Sequence, residues 1–478
     1  MRTHGIETTG EIKNSLVAFQ ASHGAQVQAA LIKLNRFSVL FEIYSPDSVL
    51  RTSEVLNEFR IVVQDRTIYS GRATVRSAVN TGQMVVCEAT LSESSWQDLS
   101  FSPAIARNGH VPHLLQSFLQ EWQKLYKIIP EYKVIIADMQ SFLMDFRLWC
   151  DQLELGLRTA SEKERPELEE KLVTELAGPL LPCVDSLFDK FETIALGLSE
   201  EVRPAHRSYM RRQLHPLILC APFAFRTYEK PLGYAGDYEM VNMIVRNRHE
   251  GGSLYAKLVN TWFLRQAPAA AHRNRVDYLK TKLVEETARG VRAGRPARIL
   301  NLGCGPAGEV QQFLKESPLS DHARFTLLDF NDETIEYAQR AVGEALTRHR
   351  RHAQIQFQKK SVLHVLKEAV KQSAPGVQYD FVYCAGLFDY LTDRTCKQLL
   401  DALYSWTAPG GLLVATNVEP ANPMRNGMEH LLDWNLIYRT AHEMRIIKPQ
   451  SATDDNSAVY SDSTGVNVFL EVRKPAHG

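Results

Sequence analysis

The segment ILNLGCGPAGE, from Ile299 to Glu309, restricts the fold of this chain more than any other stretch. An apolar run passes directly into glycines at 303, 305 and 308, and a helix-forming sequence follows. Residues without a Cβ permit a tight turn and let a ligand approach backbone N–H groups, so a strand, a close-fitting loop and a helix are expected in that order. By itself the glycine spacing suits several nucleotide cofactors. Asp329 ends the next apolar run, 21 residues beyond Gly308, where a carboxylate can accept both hydroxyls of a ribose. Strand and helix patterns then alternate. Strands are expected at 297–303, 324–330, 355–360, 379–386, 410–418 and 466–473. Helical periodicity marks GEVQQFLKE, DETIEYAQRAVGEALTRH, CKQLLDALYSWT and MEHLLDWNLIYRTAHEM between them. Such alternation predicts a doubly wound α/β sheet with helices on both faces. The polar stretch 451–465 is expected to be a loop joining the last two strands.

The rest of the chain divides by period. From about 26 to 93 short β-branched and aromatic runs with turn residues between them predict a small barrel or sandwich. From about 111 to 215 apolar residues recur at three and four, as in LLQSFLQEWQKLYKII and VIIADMQSFLMDFRLWCDQLEL, which predicts a helical bundle. Ser161 is a candidate N-cap there, Pro166 interrupts the pattern, and SYMRRQLHPL is basic. The expected divisions are a β-barrel over 1–105, a helical bundle or linker over 106–215, a helical lid over 216–294 and the α/β domain over 295–478. With 55 Lys+Arg against 55 Asp+Glu, the chain lacks the basic surplus of a general polyanion binder, and no nucleic-acid partner is expected. Seven scattered cysteines without CxxC spacing argue against a disulfide framework and a zinc site, so no metal is expected. No apolar run is long enough for a membrane span, and the N-terminus lacks a signal-peptide layout, so a cytoplasmic location is expected.

Beyond Asp329, YDFVYCAGLFDYL ends a strand in small residues, and after a helix APGGLLVAT turns into the next strand. Joined to the glycine loop, this pattern resembles the class I S-adenosylmethionine-dependent methyltransferases over about residues 295–475. A nicotinamide enzyme shares the glycine loop but not the joint pattern. The resemblance implies a Rossmann-like domain, methyl transfer, and S-adenosyl-L-methionine as cofactor. Carried over by position, Gly303, Cys304, Gly305 and Gly308 surround the methionine part, Asp329 takes the ribose, and Phe330 and Asn331 lie beside the adenosine. Ala385 and Gly386 border the sulfonium. The family's third strand usually ends in an Asp near the adenine; here Ser361 and Val362 stand in that place, and Ser361 offers a weaker hydrogen bond. Cys304 between glycines reads as packing rather than as a nucleophile.

A narrower likeness rests on RTYEKPLGYAGDYEMVNMI (226–244), GLFDYLTD (386–393) and NVEPANPMRNGMEHLLDWNLIYRT (417–440). Together they resemble bacterial methyltransferases related to those of hydroxy-fatty-acid (3-hydroxypalmitate) methyl ester synthesis. That likeness implies small-molecule biosynthesis, with O-methylation of a small molecule or acyl acid on a carboxylate or hydroxyl. N- or C-methylation of a specialised metabolite is the alternative, and a regulatory protein that senses a cofactor or nucleotide without catalysis is an alternative of another class. KPLGYAGDYEM reads either as a tight interhelical turn or as a lid that excludes water. Asp389, Tyr390, Glu419 and Tyr234 are the candidate catalytic residues; Tyr228, Asp237, Tyr238, His430, Tyr438 and Arg439 are candidates for holding the substrate. The spacings His430–Asp433 and Trp434–Tyr438 put each pair on one face of an expected helix. Arg273 or Arg275 can reach the cofactor carboxylate from AAAHRNRVDYLKTKL, or face solvent.

The N-terminal region loosely resembles a PilZ-type barrel, a module that often binds cyclic di-GMP through an RxxxR arm and a D/N-x-S-x-x-G turn. Here the arm reads Lys33-Leu-Asn-Arg36 and the turn Asn80-Thr81-Gly82, so neither is complete. The resemblance then implies an interaction platform rather than a cyclic di-GMP site. Homodimerisation through the barrel or the helical region is left open. The basic run Arg348–His352 fits the C-terminal end of a helix, whose dipole favours positive charge.

Overall fold

The computed structural model describes residues 15–20, 26–44, 50–63, 66–80, 84–92, 95–96, 128–371 and 377–476. They form two compact units. The first contains the described residues up to Ala235 together with His249–Trp262 and Arg425–Asn435, and the second contains Gly236–Arg248, Phe263–Met424 and the described residues from Leu436 onward.

In the first unit, β1 (Ser15–Gln20), β2 (Gln26–Leu34), β3 (Ser38–Ile43), β4 (Val55–Val63), β5 (Arg66–Asn80) and β6 (Val85–Leu91) close into an antiparallel barrel, in the order β1-β2-β3-β6-β5-β4. Alternation fills it: Val85, Cys87, Ala89 and Leu91 of β6 point inward, and Phe19, Phe41 and Phe59 meet with ring centroids 5.6–5.7 Å apart. Closure removes the free edges that a six-stranded sheet would expose. The strand region begins earlier than the expected residue 26, because β1 supplies only Val17 and Phe19 to the core, too few for a visible period. Lys33 lies on β2, and Asn35 accepts the N–H groups of Phe37 and Ser38 in the turn beside Arg36. Thr81 and Gly82 lie outside the described residues, as does LLQSFLQEWQKLYKII except for its last two residues.

The same unit carries α1 (Pro130–Leu157), α2 (Arg165–Leu196), α3 (Arg203–Ile218) and α4 (Pro222–Glu229). Pro166 opens α2 rather than interrupting a helix, since a first-turn residue needs no N–H partner. Ser161 is correspondingly not its N-cap; its hydroxyl donates to Glu164 in the preceding turn. A short helix, Arg425–Leu431, packs on α2 and α3: Glu192 accepts N–H groups of Asn426 and Gly427 at its N-terminus, and Arg207 and Arg211 pair with Glu429 and Asp433. The helix expected across 428–444 stops there. Leu432 and Trp434 both donate to the Met428 carbonyl, and Asp433 takes a left-handed φ of 52°, a helix-ending geometry. The pairs His430–Asp433 and Trp434–Tyr438 therefore share no helical face.

The second unit holds α5 (Tyr238–Arg246), the end of α6 (Leu254–Arg265), α7 (Ala267–Arg292), β7 (Ala297–Leu302), α8 (Gly308–Glu316), β8 (Ala323–Asp329), α9 (Asp332–His349), β9 (Gln354–Lys359), α10 (Val362–Lys371), β10 (Tyr379–Cys384), α11 (Asp393–Trp406) and β11 (Thr407–Val418). With Arg425–Leu431 counted as α12, it ends in α13 (Ala441–Ile446), β12 (Ser457–Ser461) and β13 (Asn467–Arg473). The sheet order is β12-β13-β11-β10-β7-β8-β9; the five strands from β11 to β9 are parallel, and β12 and β13 are antiparallel. The stretch 451–465 is thus not all loop: Ser457–Ser461 adds an edge strand, concealed in the sequence because an edge buries little of its apolar surface. Buried clusters lie on both faces of the sheet, as alternating strands and helices require. Among the described residues no helix is long and apolar enough to cross a membrane.

Candidate functional site

Strand order reverses at β7, whose neighbours β10 and β8 lead the chain to opposite sides, and ligands of such sheets bind in the crevice beyond the strand ends at that point. The loop after β7 turns sharply. Gly303 and Cys304 both donate to the Leu328 carbonyl at 2.8 and 3.0 Å, and Gly303 and Gly305 have φ of 73° and 52°. A Cβ on Gly305 or Gly308 would meet nothing within 4 Å, so the loop borders open space. Asp329 closes it: its Oδ2 accepts Gly305 N–H at 3.1 Å, and its Oδ1 accepts Phe330 and Asn331 N–H at 2.8 and 3.1 Å. From the other side comes the loop after β10. Gly386 there has φ 85° and donates to Thr416, and a Cβ on Gly303 would lie 3.7 Å from Leu387.

The charges around this crevice are unevenly matched. Arg275 projects from α7, is 9% exposed, and lies so close to Gly386 that a Cβ there would stand 2.9 Å from its Nη2. Among the described residues no carboxylate lies within 4 Å of its guanidinium; its hydrogen bond goes to His272, at 2.9 Å to Nδ1. Burial lowers the Arg275 pKa, with Asp389, Tyr390 and Glu309 opposing, but an arginine stays charged. Burial, with Arg275 and Arg273 adding to it, holds His272 well below the ordinary imidazole value, so it is neutral. Glu309, in the first turn of α8, accepts Tyr383 O–H at 2.7 Å and Asn301 Nδ2–H at 3.0 Å, and burial raises its carboxyl. The other amide atom, Asn301 Oδ1, is buried without a hydrogen-bond partner. Burial also raises Asp389, although Arg275 and the Val418 N–H it accepts at 2.7 Å pull the other way. Cys304 is pushed far up by burial and is an uncharged thiol.

The residues singled out in the sequence are dispersed. Gly303, Cys304, Gly305, Phe330, Asn331, Ala385 and Gly386 lie on the loops that follow the strands, with Gly308 opening α8, Asp329 ending β8 and Asp389 and Tyr390 in a 3-10 turn after β10. Asn331 caps α9 through Thr334 N–H, Ser361 bonds His364, and Val362 belongs to the core. Asp237 is the N-cap of α5, while Tyr238 donates to Glu333 and stacks on Tyr337 at 4.6 Å. The Tyr390 hydroxyl would lie 2.8 Å from a Cβ on Gly236. Glu419 follows β11 and accepts Ala421 N–H at 3.4 Å within its own turn, and Tyr438 lies on the irregular stretch before α13. Arg439 is committed to the fold, with bonds to Asp393, Asn417 and the carbonyls of Phe388 and Leu391.

Tyr228, Tyr234 and His430 belong to the first unit. Tyr228 packs against Arg72, Arg211 and His215, and His430 is fully buried with Nδ1 against the Tyr132 hydroxyl at 2.9 Å. Burial and neighbouring arginines keep His430 far below its ordinary pKa. Of the two arginines left open by the sequence, Arg273 donates to the Ile244 and Leu264 carbonyls, and Arg275 lies at the crevice. Glu309 and Asn301 were not singled out, although both lie within the motif segment itself.

Residues 299–411 match a family model described as a methyltransferase domain. This chain carries a class I methyltransferase domain. The cofactor of the methyltransferase domain is S-adenosylmethionine. A search of curated proteins gives no match. Solved structures similar to the methyltransferase chain include a protein from Bordetella parapertussis described as a possible exported protein, at 19% identity and TM-score 0.41, covering 53% of this chain and 86% of that one. Magnesium protoporphyrin IX methyltransferase from Synechocystis PCC 6803 is similar at 16% identity and TM-score 0.31, covering 43% and 84%. The N-methyltransferase NodS from Bradyrhizobium japonicum is similar at 18% identity and TM-score 0.29, covering 50% and 98%.

Proposed function

We propose that this methyltransferase acts on an oxygen of a small molecule or acyl acid, with a carboxylate as the acceptor that fits best. The supporting observation is that the carboxylates around the crevice are already engaged. Asp329 accepts three backbone N–H groups, Asp389 accepts that of Val418, and Glu309 accepts Tyr383 and Asn301. A hydroxyl, ammonium or carbon acceptor needs a proton removed, whereas a carboxylic acid is ionised at neutral pH and needs no base. The likeness to enzymes of hydroxy-fatty-acid methyl ester synthesis points the same way.

The residues also fit the cofactor chemically. An amino-acid end needs a cation for its carboxylate and acceptors for its ammonium; Arg275 has no acidic partner, and Asn301 Oδ1 has no donor. Gly303, Cys304, Gly305 and Gly308 would lie along that end, Asp329 would take the ribose, Phe330, Asn331, Ser361 and Val362 would border the adenosine, and Ala385 and Gly386 the sulfonium. When bound, S-adenosylmethionine supplies an electrophilic methyl group. The chain's own contribution is to hold acceptor and donor in line and keep water away. Tyr390 over Gly236 and Tyr238 on Tyr337 tie the segment 236–248 to that task. We assign Arg439 to the scaffold, and the first-unit barrel to an interaction platform.

The test uses methyl-labelled cofactor with a panel of free and hydroxylated fatty acids. A carboxylate acceptor gives label released by mild alkali, and Glu419→Gln transfers methyl at an unchanged rate. Alkali-stable label, or a rate lowered by about 100-fold or more in that variant, would move the acceptor to a hydroxyl, amine or carbon with Glu419 as base.

A further inference from the structure

The helix α1 carries apolar residues on two opposite faces. Tyr132, Ile135, Ile136, Met139 and Leu143 are buried on one side, where α1 meets α2 and α3. At 3.6 residues per turn a second row lies opposite them. Val134, Ser141, Leu148 and Leu155 recur at intervals of seven, with Ala137 and Met144 three residues after the first two, and all six are exposed. The large ones are far from covered: Val134 is 59% exposed, Met144 48%, Leu148 62% and Leu155 61%. A helix on the surface of a globular unit ordinarily has one apolar stripe and a polar outer face. The neighbouring α2 obeys this, since its outer side carries Glu167, Glu170, Lys171 and Glu175. On α1 the outer row instead fills the first and fourth positions of a seven-residue repeat, which is the seam by which one helix pairs with another. The row runs about 32 Å from Val134 to Leu155, at about 1.5 Å per residue.

Charge selects the occupant. In a parallel pair of identical helices each seam residue meets its own copy, and the residue just before a first position faces, on the other helix, the residue five places further on. Lys133 then faces Asp138 of the second copy, and the same contact recurs by symmetry. Five residues apart, the two cannot meet on their own helix, and among the described residues neither has an ion-pair partner. The next such pairs, Gln140 with Asp145 and Arg147 with Gln152, set no like charges together. An antiparallel pair centred on Met144 and Leu148 would set Arg147 against Arg147 and Asp145 against Asp145. We infer that α1 is a dimerisation helix, and that a second copy of this chain pairs with it in parallel along 134–155. Such a contact is isologous, with each copy giving the same surface. Asp151 occupies a seam position and meets its own copy, so it weakens the dimer; a polar residue in a seam fixes register at a cost in stability. The inference stands apart from the identity of the methyl acceptor.

Sedimentation velocity on the full chain, from about 0.1 to 100 μM, should show a concentration-dependent passage from one chain to two. Leu148→Glu puts like charges into the seam from both copies and should raise the dissociation constant by about 100-fold or more. Lys133→Asp should raise it by about 10-fold, because two ion pairs become two like-charge contacts. Adding Asp138→Lys to that chain should restore the original value. Asp151→Leu should lower the constant by about 10-fold or more. All four positions are exposed on a single copy, so an unchanged circular-dichroism spectrum at low concentration shows that each variant is folded. A chain that is single at every concentration, or a dimer that Leu148→Glu leaves intact, would overturn the inference. A dimer broken by Leu148→Glu but not restored by the double exchange would overturn the parallel pairing.

Discussion

Arg439→Met separates a scaffold from a substrate-binding residue. The arginine is 1% exposed, and Met fills much of its volume without a donor. Two buried acceptors then lose their N–H donor: the Leu391 carbonyl, bonded at 2.6 Å, and Asn417 Oδ1, bonded at 2.7 Å, whereas the Phe388 carbonyl keeps the Leu391 N–H at 3.1 Å. The fourth partner, Asp393, is 72% exposed at its side chain, so water replaces that ion pair at little cost. An orphaned buried acceptor costs about 1–3 kcal/mol, which puts the total at about 2 kcal/mol or more. For a body of about 150–250 residues each kcal/mol moves the melting temperature by about 2–4 °C, so a fall of about 4–8 °C is expected. Differential scanning calorimetry measures it, with acceptor KM followed in parallel at a temperature where the variant is folded. An unchanged melting temperature together with lost acceptor binding would refute the reasoning and return Arg439 to the substrate.

Gly386→Ala places a Cβ 2.9 and 3.2 Å from the two terminal nitrogens of Arg275, at a φ of 85°. It should lower S-adenosylhomocysteine affinity more than methylthioadenosine affinity, by calorimetry. Cys304 is buried with a strongly raised thiol pKa, whereas Cys183 and Cys220 are exposed. Brief iodoacetamide treatment at pH 8 should label Cys183 first, Cys220 more slowly because burial raises its thiol, and spare Cys304 until the chain unfolds, as read by peptide mass spectrometry. Burial alone would raise Asp433, but Arg211 and Lys230 outweigh it and bring the carboxyl down to about 2. A depressed carboxyl stabilises the fold above its unfolded value and loses that contribution as pH falls through the folded one. Urea titrations should therefore show a loss of about 2 kcal/mol between about pH 4 and pH 2, and Asp433→Asn should flatten that window.

The contiguous segments of the candidate site are legible in the sequence as a strand, a glycine loop and a strand end, and the contacts between distant segments are not. The glycine loop and Asp329 could be read because one strand–turn–helix unit and the end of the next strand supply them. Arg273 and Arg275 could not be separated, since both lie two residues apart on one helix and only the packing of Gly386 against α7 distinguishes them. Arg439 resembled a substrate ligand because its partners, at 388, 391, 393 and 417, are distant in the chain. Apolar periodicity continues past Leu431, so the sequence predicts one helix that carries His430 together with Tyr438 and Arg439. No glycine or proline marks the break, and Asp433 supplies the left-handed turn instead. The barrel was legible from its alternation, except for β1, whose six residues are too few to establish a period.

The route of the chain has a consequence for synthesis. Arg207 of α3 is separated from Glu429 by 222 residues, yet both belong to the first unit. At about 5–20 residues per second, the helical part of that unit waits roughly 10–40 s on the ribosome before its acids emerge. Over that interval α3 lacks the segment that pairs with Arg207 and Arg211, and His430 is absent from beside Tyr132. A chain stopped near residue 294 would thus leave Arg207 and Arg211 of α3 without Glu429 and Asp433, and Glu192 of α2 without the N–H groups that it accepts.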